Sequence, residues 1–318
     1  MAMKESIIII GANGQIGTEL AIALREKFGP ENVITSDIRE PQNLKEGEIF
    51  EPLNVLDKSA IAFLFQKYKP TQVYLLAAML SATGEVYPQK AWDLNMNGLL
   101  NVLDLAVEYK VSKIFWPSSI AVFGPHSPKT NTDQYCIMDP NTIYGISKLA
   151  GERLVEWYQE HRGLDIRSIR YPGIISWKAE PGGGTTDYAV HIFYDALRKG
   201  SYECFLSENT ALPMLYMDDA IRGTLQLMDA PKESLTIRSS YNLTAVSFTP
   251  KQLAEEIKKI LPNFVITYSE NDPRQAIADS WPASIEDSPA RADWNWKPAF
   301  DLAKLTADMI ENLKTNKI

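Results

Sequence analysis

Tyr144 and Lys148 set the chemistry to consider first. They stand four residues apart in Tyr144-Gly145-Ile146-Ser147-Lys148. On a helix that spacing puts a phenol and an ammonium on one face, one turn apart. A positive charge beside a phenol favours the phenolate, so the spacing predicts a Tyr144 pKa below the ordinary tyrosine value. A tyrosine so tuned can work as a general base near neutral pH. Taken alone, the pair equally describes two solvated side chains on a helix. Its weight comes from two companions, a glycine-rich loop near the start of the chain and the pair Ser118-Ser119.

The loop is Gly11-Ala12-Asn13-Gly14-Gln15-Ile16-Gly17. It follows the apolar run Ile7–Ile10 and opens a helical pattern. Glycines there let the backbone turn tightly and approach a pyrophosphate, while the helix N-terminus offers free N–H groups and the positive end of its dipole. Asp37 lies twenty residues beyond Gly17. An acid at that place can hydrogen-bond ribose hydroxyls and repel a 2′-phosphate, which favours NAD over NADP. Arg39 is the counterweight, since a nearby guanidinium would welcome a phosphate. Ser118-Ser119 follows Ile114-Phe115-Trp116, at the C-terminal end of an expected strand, where ligands of open α/β sheets bind.

The elements that must position these residues follow from periodicity. Ile7–Ile10 reads as a buried strand. Ile16, Leu20, Leu24 and Phe28 give the next helix one apolar face. Residues 32–36, 73–77, 113–116 and 166–169 are further strand candidates, with long helical patterns over 91–109 and 143–161. Strand–helix alternation implies an α/β fold, a doubly wound parallel sheet of Rossmann type covered on both faces. After about residue 175 the pattern changes. Gly, Pro and Thr cluster at 181–186, and helical patterns over 189–199, 218–229, 250–260 and 302–313 alternate with short strands at 241–244 and 265–268. The expectation is a dinucleotide-binding Rossmann domain over 1–175, to which some later segments return, and a smaller C-terminal α/β domain over 176–318 that mainly binds substrate.

Composition removes several alternatives. Two cysteines, Cys136 and Cys204, make no disulfide framework. The three histidines are isolated, and no Cys/His zinc spacing exists, so no metal site is expected. A net charge of −8 without Lys/Arg runs argues against nucleic acid. No signal-peptide pattern or membrane-length apolar stretch is present, so a cytoplasmic location is expected.

With these residues in view, the chain resembles the extended short-chain dehydrogenase/reductase superfamily over nearly its whole length. The likeness rests on the glycine loop, Asp37, Leu53-Asn54-Val55-Leu56-Asp57, Leu76-Ala77-Ala78, Asn95, the serine strand, Tyr144/Lys148, Arg170-Tyr171-Pro172-Gly173 and Asp293-Trp294-Asn295-Trp296-Lys297-Pro298. Asn54 departs from it, standing where an Asp is more usual beside the adenine. The resemblance implies that Ser119, five residues before Gly124, is the catalytic serine, with Ser118 as the alternative. It makes Tyr144 the general base and Lys148 the residue that holds the nicotinamide ribose. It implies NAD contacts from Gly11, Gly14, Gln15, Ile16, Gly17, Asp37, Ile38, Asn54, Val55, Leu76, Ala77, Ala78, Asn95, Tyr144, Lys148 and Ile174.

Within the superfamily, nucleotide-sugar dehydratases typically carry an Asp-Glu pair after the catalytic Ser/Thr, but here Ile120-Ala121 follows. Nucleotide-sugar 4-epimerases remain the alternative. Met79-Leu80-Ser81-Ala82, Gly182–Tyr188, Leu212–Asp219 and Ser280-Trp281-Pro282 look more like the short-chain L-threonine 3-dehydrogenases, whose reaction yields 2-amino-3-ketobutyrate with NAD. That likeness makes L-threonine the substrate, with Ser81, Ser119, Tyr144, Thr186 and Trp281 as candidate contacts. Ser81 and Thr186 equally suit turns, and Trp281 equally suits a core. Asp218 and Asp219 read as caps of the following helix. Residues 180–188 read as a segment that closes on substrate or as an ordinary turn. The resemblance also implies a homodimer built on the helices at 91–109 and 143–161. An unrelated class of threonine dehydrogenases uses zinc; with a tyrosine–lysine base in its place, activity here should survive chelators.

Overall fold

Ile7–Ile10 forms strand β1, and all four side chains are buried. Alternation along the strand sends Ile8 and Ile10 into one apolar core and Ile7 and Ile9 into another, so this sheet has no solvent face. The computed structural model describes residues 5–41, 43–178, 182–269 and 271–316. From β1 the chain runs through α1 (Gln15–Phe28), β2 (Val33–Asp37), β3 (Ile49–Pro52), α2 (Lys58–Tyr68) and β4 (Gln72–Leu75). It continues through α3 (Ser81–Val86), α4 (Pro88–Trp92), α5 (Gly98–Glu108), β5 (Lys113–Phe115), β6 (Ser118–Ser119), α6 (Ile143–Arg162) and β7 (Ile166–Arg167). The central sheet is parallel with strand order β3-β2-β1-β4-β5-β7. The chain therefore reverses direction across the sheet between β1 and β4, and a crevice opens there at the strand C-termini.

The second half adds β8 (Ile169–Tyr171), β9 (Gly173–Ile175), α7 (Tyr188–Lys199), β10 (Ser201–Cys204), β11 (Leu212–Tyr216), α8 (Met217–Asp229) and β12 (Tyr241–Asn242). It ends with β13 (Val246–Phe248), α9 (Pro250–Ile260), β14 (Val265–Tyr268), α10 (Arg274–Ser280), α11 (Ser288–Trp294) and α12 (Leu302–Thr315). Three small sheets, β12-β8-β6, β13-β11-β9 and β10-β14, carry these strands. One core gathers α7, α9 and α12 (Phe193, Leu253, Ile257, Leu305, Met309). By contrast, Ile221 and Leu227 of α8, with Trp294 and Trp296, pack against Leu20 and Leu24 of α1, on the face of the sheet opposite α5 and α6.

Two elements differ from the sequence expectation. The run 166–169 is two strands that part at Ser168. β7 pairs with β5 in the central sheet, whereas β8 pairs with β6 and β12. The long helix expected over 91–109 starts earlier and is interrupted by a π-turn at Asp93–Asn97. That turn presents Asn95 inward. Its Oδ1 accepts the Met79 N–H at 2.8 Å, and its Nδ2 donates to Met79 O at 3.2 Å and to Ser147 Oγ at 3.1 Å. Such bulges recur where a helix must aim one polar side chain. Among the described residues, no helix is long and apolar enough to cross a membrane.

Candidate active site

The site is built on the turn between β1 and α1. Gly11 has φ +88°, and a Cβ there would lie 2.5 Å from Ala77 N; a Cβ on Gly17 would lie 2.4 Å from Gly11 O. Only glycine fits either place. α1 starts at Gln15, and its N-cap Gly14 supplies no side-chain cap, so the first-turn N–H groups remain available to an anion. The Gln15 amide nitrogen is buried without a partner. An orphaned donor at an uncapped helix start, beside a turn that excludes Cβ atoms, fits a pyrophosphate.

A cleft of about 250 Å³ opens from this turn. Gly11, Gly14, Gln15, Ile16, Gly17, Leu76, Ala78 and Ile174 line it, together with Ser81, Ser119, Tyr144, Lys148, Thr186 and Trp281. The glycine loop, the serine strand and the tyrosine–lysine helix thus meet in one cavity. The other candidates lie outside its lining. Asp37 ends β2, where its carboxylate accepts the N–H groups of Asn13 at 3.0 Å and Arg39 at 3.1 Å, so it fixes the rim of the glycine loop. Ile38 is exposed beside it. Asn54 accepts the Leu56 N–H at 3.0 Å, and Val55 is buried against Gly98. Ala77 backs Gly11, and Asn95 clamps Met79 as described.

The candidate reacting groups are Ser119, Tyr144 and Lys148. Ser119 ends the two-residue strand β6; its hydroxyl accepts the Ala121 N–H at 3.2 Å, and the residue lines the cleft together with Tyr144. Thr142 caps α6 by accepting the Gly145 N–H at 3.1 Å, which sets where the tyrosine turn begins. Ser147 donates to Tyr144 O at 2.7 Å. Lys148 Nζ donates to Pro117 O at 2.6 Å and sits 4.6 Å from the Trp116 ring centre and 5.6 Å from that of Tyr144.

The electrostatics correct one expectation. Burial pushes the Tyr144 phenol up to about 12, with the Ser119 hydroxyl acting the other way. Burial likewise lowers the Lys148 ammonium to about 7, opposed by the Glu152 carboxylate. In the ligand-free site, then, desolvation outweighs the attraction between the pair. Both groups are poised towards their neutral forms, and spacing alone does not depress the tyrosine.

Beneath these residues lies a fully buried ionic hub. Arg170 of β8 meets Glu152 of α6 through two hydrogen bonds of 2.8 Å. Glu152 Oε1 also accepts the Ser118 hydroxyl at 2.7 Å. Arg170 further donates to Gln134 O at 2.9 Å and to Asn242 Oδ1 at 3.0 Å. Ser118 therefore faces the interior, while Ser119 faces the cleft.

The C-terminal wall holds Thr185, which the sequence does not single out, and Asp187, which it suggests as orienting the loop. Thr185, buried, stands 3.5 Å from the Ser81 hydroxyl. Asp187 lines the cleft, accepts the N–H groups of Gly183 at 2.9 Å and Gly184 at 2.6 Å, and is raised by burial. Residues 180 and 181 of the anticipated closing segment fall outside the described residues. Asp219 is no helix cap. It is buried and accepts the N–H groups of Ala299 and Phe300 at 2.8 Å and 3.1 Å. α8 has no side-chain cap at all. Among the described residues, no three His, Cys, Asp or Glu side chains group to hold a metal ion.

Known proteins match this arrangement along the whole chain. Residues 7–243 match the NAD dependent epimerase/dehydratase family. The mitochondrial L-threonine 3-dehydrogenase of Sus scrofa is 47% identical over 310 residues, covering 97% of this chain and 83% of that protein. The GalE-like L-threonine dehydrogenase of Cupriavidus necator, solved in its holo form, superposes with a TM-score of 0.94 at 55% identity, covering 97% of this chain and 99% of the other. A monomeric L-threonine 3-dehydrogenase from a metagenome, in its apo form, superposes with a TM-score of 0.95 at 49% identity, covering 98% and 100%. The chain therefore belongs to the NAD dependent epimerase/dehydratase family.

Proposed function

We propose that this chain oxidises the 3-hydroxyl of L-threonine to 2-amino-3-ketobutyrate with NAD. The convergence of Ser119, Tyr144 and Lys148 on one cleft with the glycine turn carries the reading, and the threonine dehydrogenases among its similar proteins support the substrate. Oxidising a secondary alcohol removes a proton from oxygen and a hydride from carbon. Tyr144, ionised to the phenolate by the positive charges that Lys148 and bound NAD would bring, takes the proton, and Ser119 hydrogen-bonds the same oxygen and holds it against the phenol. Lys148 donates to ribose hydroxyls and brings positive charge towards the phenol. NAD, when bound, supplies the hydride acceptor and its own positive charge. The N–H groups that open α1, with Gln15, would hold the pyrophosphate, and Asp37 the adenosine ribose beyond the loop.

Ser81, Thr186 and Trp281 line the substrate end. In this reading they receive a small zwitterion, and Trp281 shuts out water. The division of labour is then cofactor on 1–175 and substrate mainly on 176–318, with α8 and α11 returning to the first part. Pairing into a homodimer through α5 and α6 belongs to the same proposal, although one similar structure is described as monomeric.

The test is NADH absorbance at 340 nm after mixing the protein with NAD and L-threonine. Steady NADH formation is expected, whereas an epimerase gives no net NADH. Tyr144→Phe should lose more than about 100-fold in kcat while still binding NAD. Wild-type turnover in that variant would remove Tyr144 from the mechanism.

A further inference from the structure

The ionic hub under the cleft is a feature that the reaction above leaves unused. Glu152 and Arg170 are both fully buried, at 0% and 1% exposure, and pair through two hydrogen bonds of 2.8 Å. A buried pair of this kind is weak evidence for stability, because the desolvation of two charges offsets their attraction. What marks it out is its connections. Tyr144, Lys148 and Glu152 recur every four residues along α6, so they share one face. Glu152 Oε1 takes the hydroxyl of Ser118, the neighbour of Ser119 on a strand of only two residues. Arg170 reaches the carbonyl of Gln134, in the loop that leaves Ser119 and returns at Tyr144.

Adjacent residues on a strand point to opposite faces. Anchoring the Ser118 hydroxyl inward therefore fixes the roll of β6 about its own axis, and with it the direction in which Ser119 presents its hydroxyl. Placement matters at this point, since an error of about 1 Å in a reacting group can lower a rate on the order of 100-fold.

We propose that Glu152 is a positioning residue for the reaction: through Ser118 it aims Ser119 at the substrate oxygen, and from one turn along α6 it sets a negative charge behind Lys148. The proposal rests on the roles given above to Ser119, Tyr144 and Lys148. Burial depresses the Lys148 ammonium and Glu152 opposes that depression, which agrees with the second half of the role. Arg170 fixes the orientation of the carboxylate through two hydrogen bonds.

Three variants, with wild type and Tyr144→Phe alongside, test it through L-threonine-dependent NADH formation and thermal unfolding. Ser118→Ala removes one hydrogen bond and uncovers no charge. It should lower kcat about 10-fold while the KM for NAD and the melting temperature hardly move. The double variant Glu152→Met/Arg170→Met replaces the pair by apolar groups of similar length, a change that often leaves stability intact. It should fold and melt near the wild-type temperature yet lose at least about 10-fold in kcat. Glu152→Asp keeps the charge but shortens the reach, and should retain more activity than the double variant. A folded double variant or Ser118→Ala with wild-type kcat overturns the proposal. Should the double variant fail to fold, Ser118→Ala alone decides. A wild-type protein that makes no NADH from L-threonine overturns the dehydrogenase reading itself, whatever the variants do.

Discussion

Lys148 shows how far a residue pattern carries and where it stops. Its place on the tyrosine face was legible, because four-residue spacing on a helix fixes a face. Its charge was not, because charge depends on how much water the folded chain removes. The ammonium is 3% exposed and lowered to about 7. The sign of its effect on stability follows. Between about pH 7 and the ordinary lysine value the unfolded chain holds a proton that the native chain has released, so native stability rises with pH there; below pH 7 both states are protonated and the dependence ends. Lys148→Met should abolish this rise, which amounts to roughly 1 kcal/mol per pH unit. Urea midpoints of the two proteins at pH 6, 7.5 and 9 would check it, and parallel curves would contradict a buried, depressed Lys148. Asp37 illustrates the complementary case. Spacing placed it correctly at the end of β2, but its contacts to the backbone of Asn13 and Arg39 appear only in three dimensions.

At the scale of elements, what read well was whatever follows from local periodicity. α1, α6, α7 and α9 lie where their apolar stripes put them, within a residue or two. What failed to read was decided elsewhere in the chain. The break at Ser168 exists because β5 claims one side of it and β6 with β12 the other. The π-turn at 93–97 exists because Met79 and Ser147 both hold Asn95. No window of sequence around either place contains those partners. The seat of α6 is a further example. A Cβ at Gly151 would stand 2.4 Å and 2.6 Å from ring atoms of Trp116, the ring that also faces Lys148. Gly151→Ala should therefore destabilise the fold by about 1–3 kcal/mol despite the better helix propensity of alanine. It should also lower activity by shifting Trp116. Thermal unfolding measures the first effect, and an unchanged or higher melting temperature would show that the helix seat is looser than this packing.

At the scale of the whole molecule, the cleft is a seam between the cofactor-side strands and a wall drawn from far along the chain. The sequence suggested Asp187 as the residue that orients the glycine run, but it could not show that Thr185 would meet Ser81. Ahead of the Asp187 bonds the run is open: a Cβ on Gly182 would meet nothing within 4 Å. Filling the cleft should order it. Amide hydrogen exchange over residues 182–188 is expected to slow several-fold when NAD and L-threonine are present together, and less with NAD alone. Equal exchange in all three conditions would make the segment an ordinary turn.

The loop between Ser119 and Tyr144 carries a consequence for how the molecule is made. Thr132 of that loop forms a bridge with Ile285, and the backbone groups of Lys129 and Thr132 bond those of Ala283, Ser284 and Glu286. Asn242 adds its side chain between Thr132 O and Glu286 O. A nascent chain that has emerged from the ribosome only as far as residue 270 already owns the serine, the tyrosine and the lysine, yet it lacks the backbone partners of Lys129 and Thr132 in the loop that separates them. Contacts of such sequence separation form late, after the entropy of closing the intervening chain has been overcome. Full closure of this loop therefore waits until residues 283–286 have been made, far along the chain from the groups it separates.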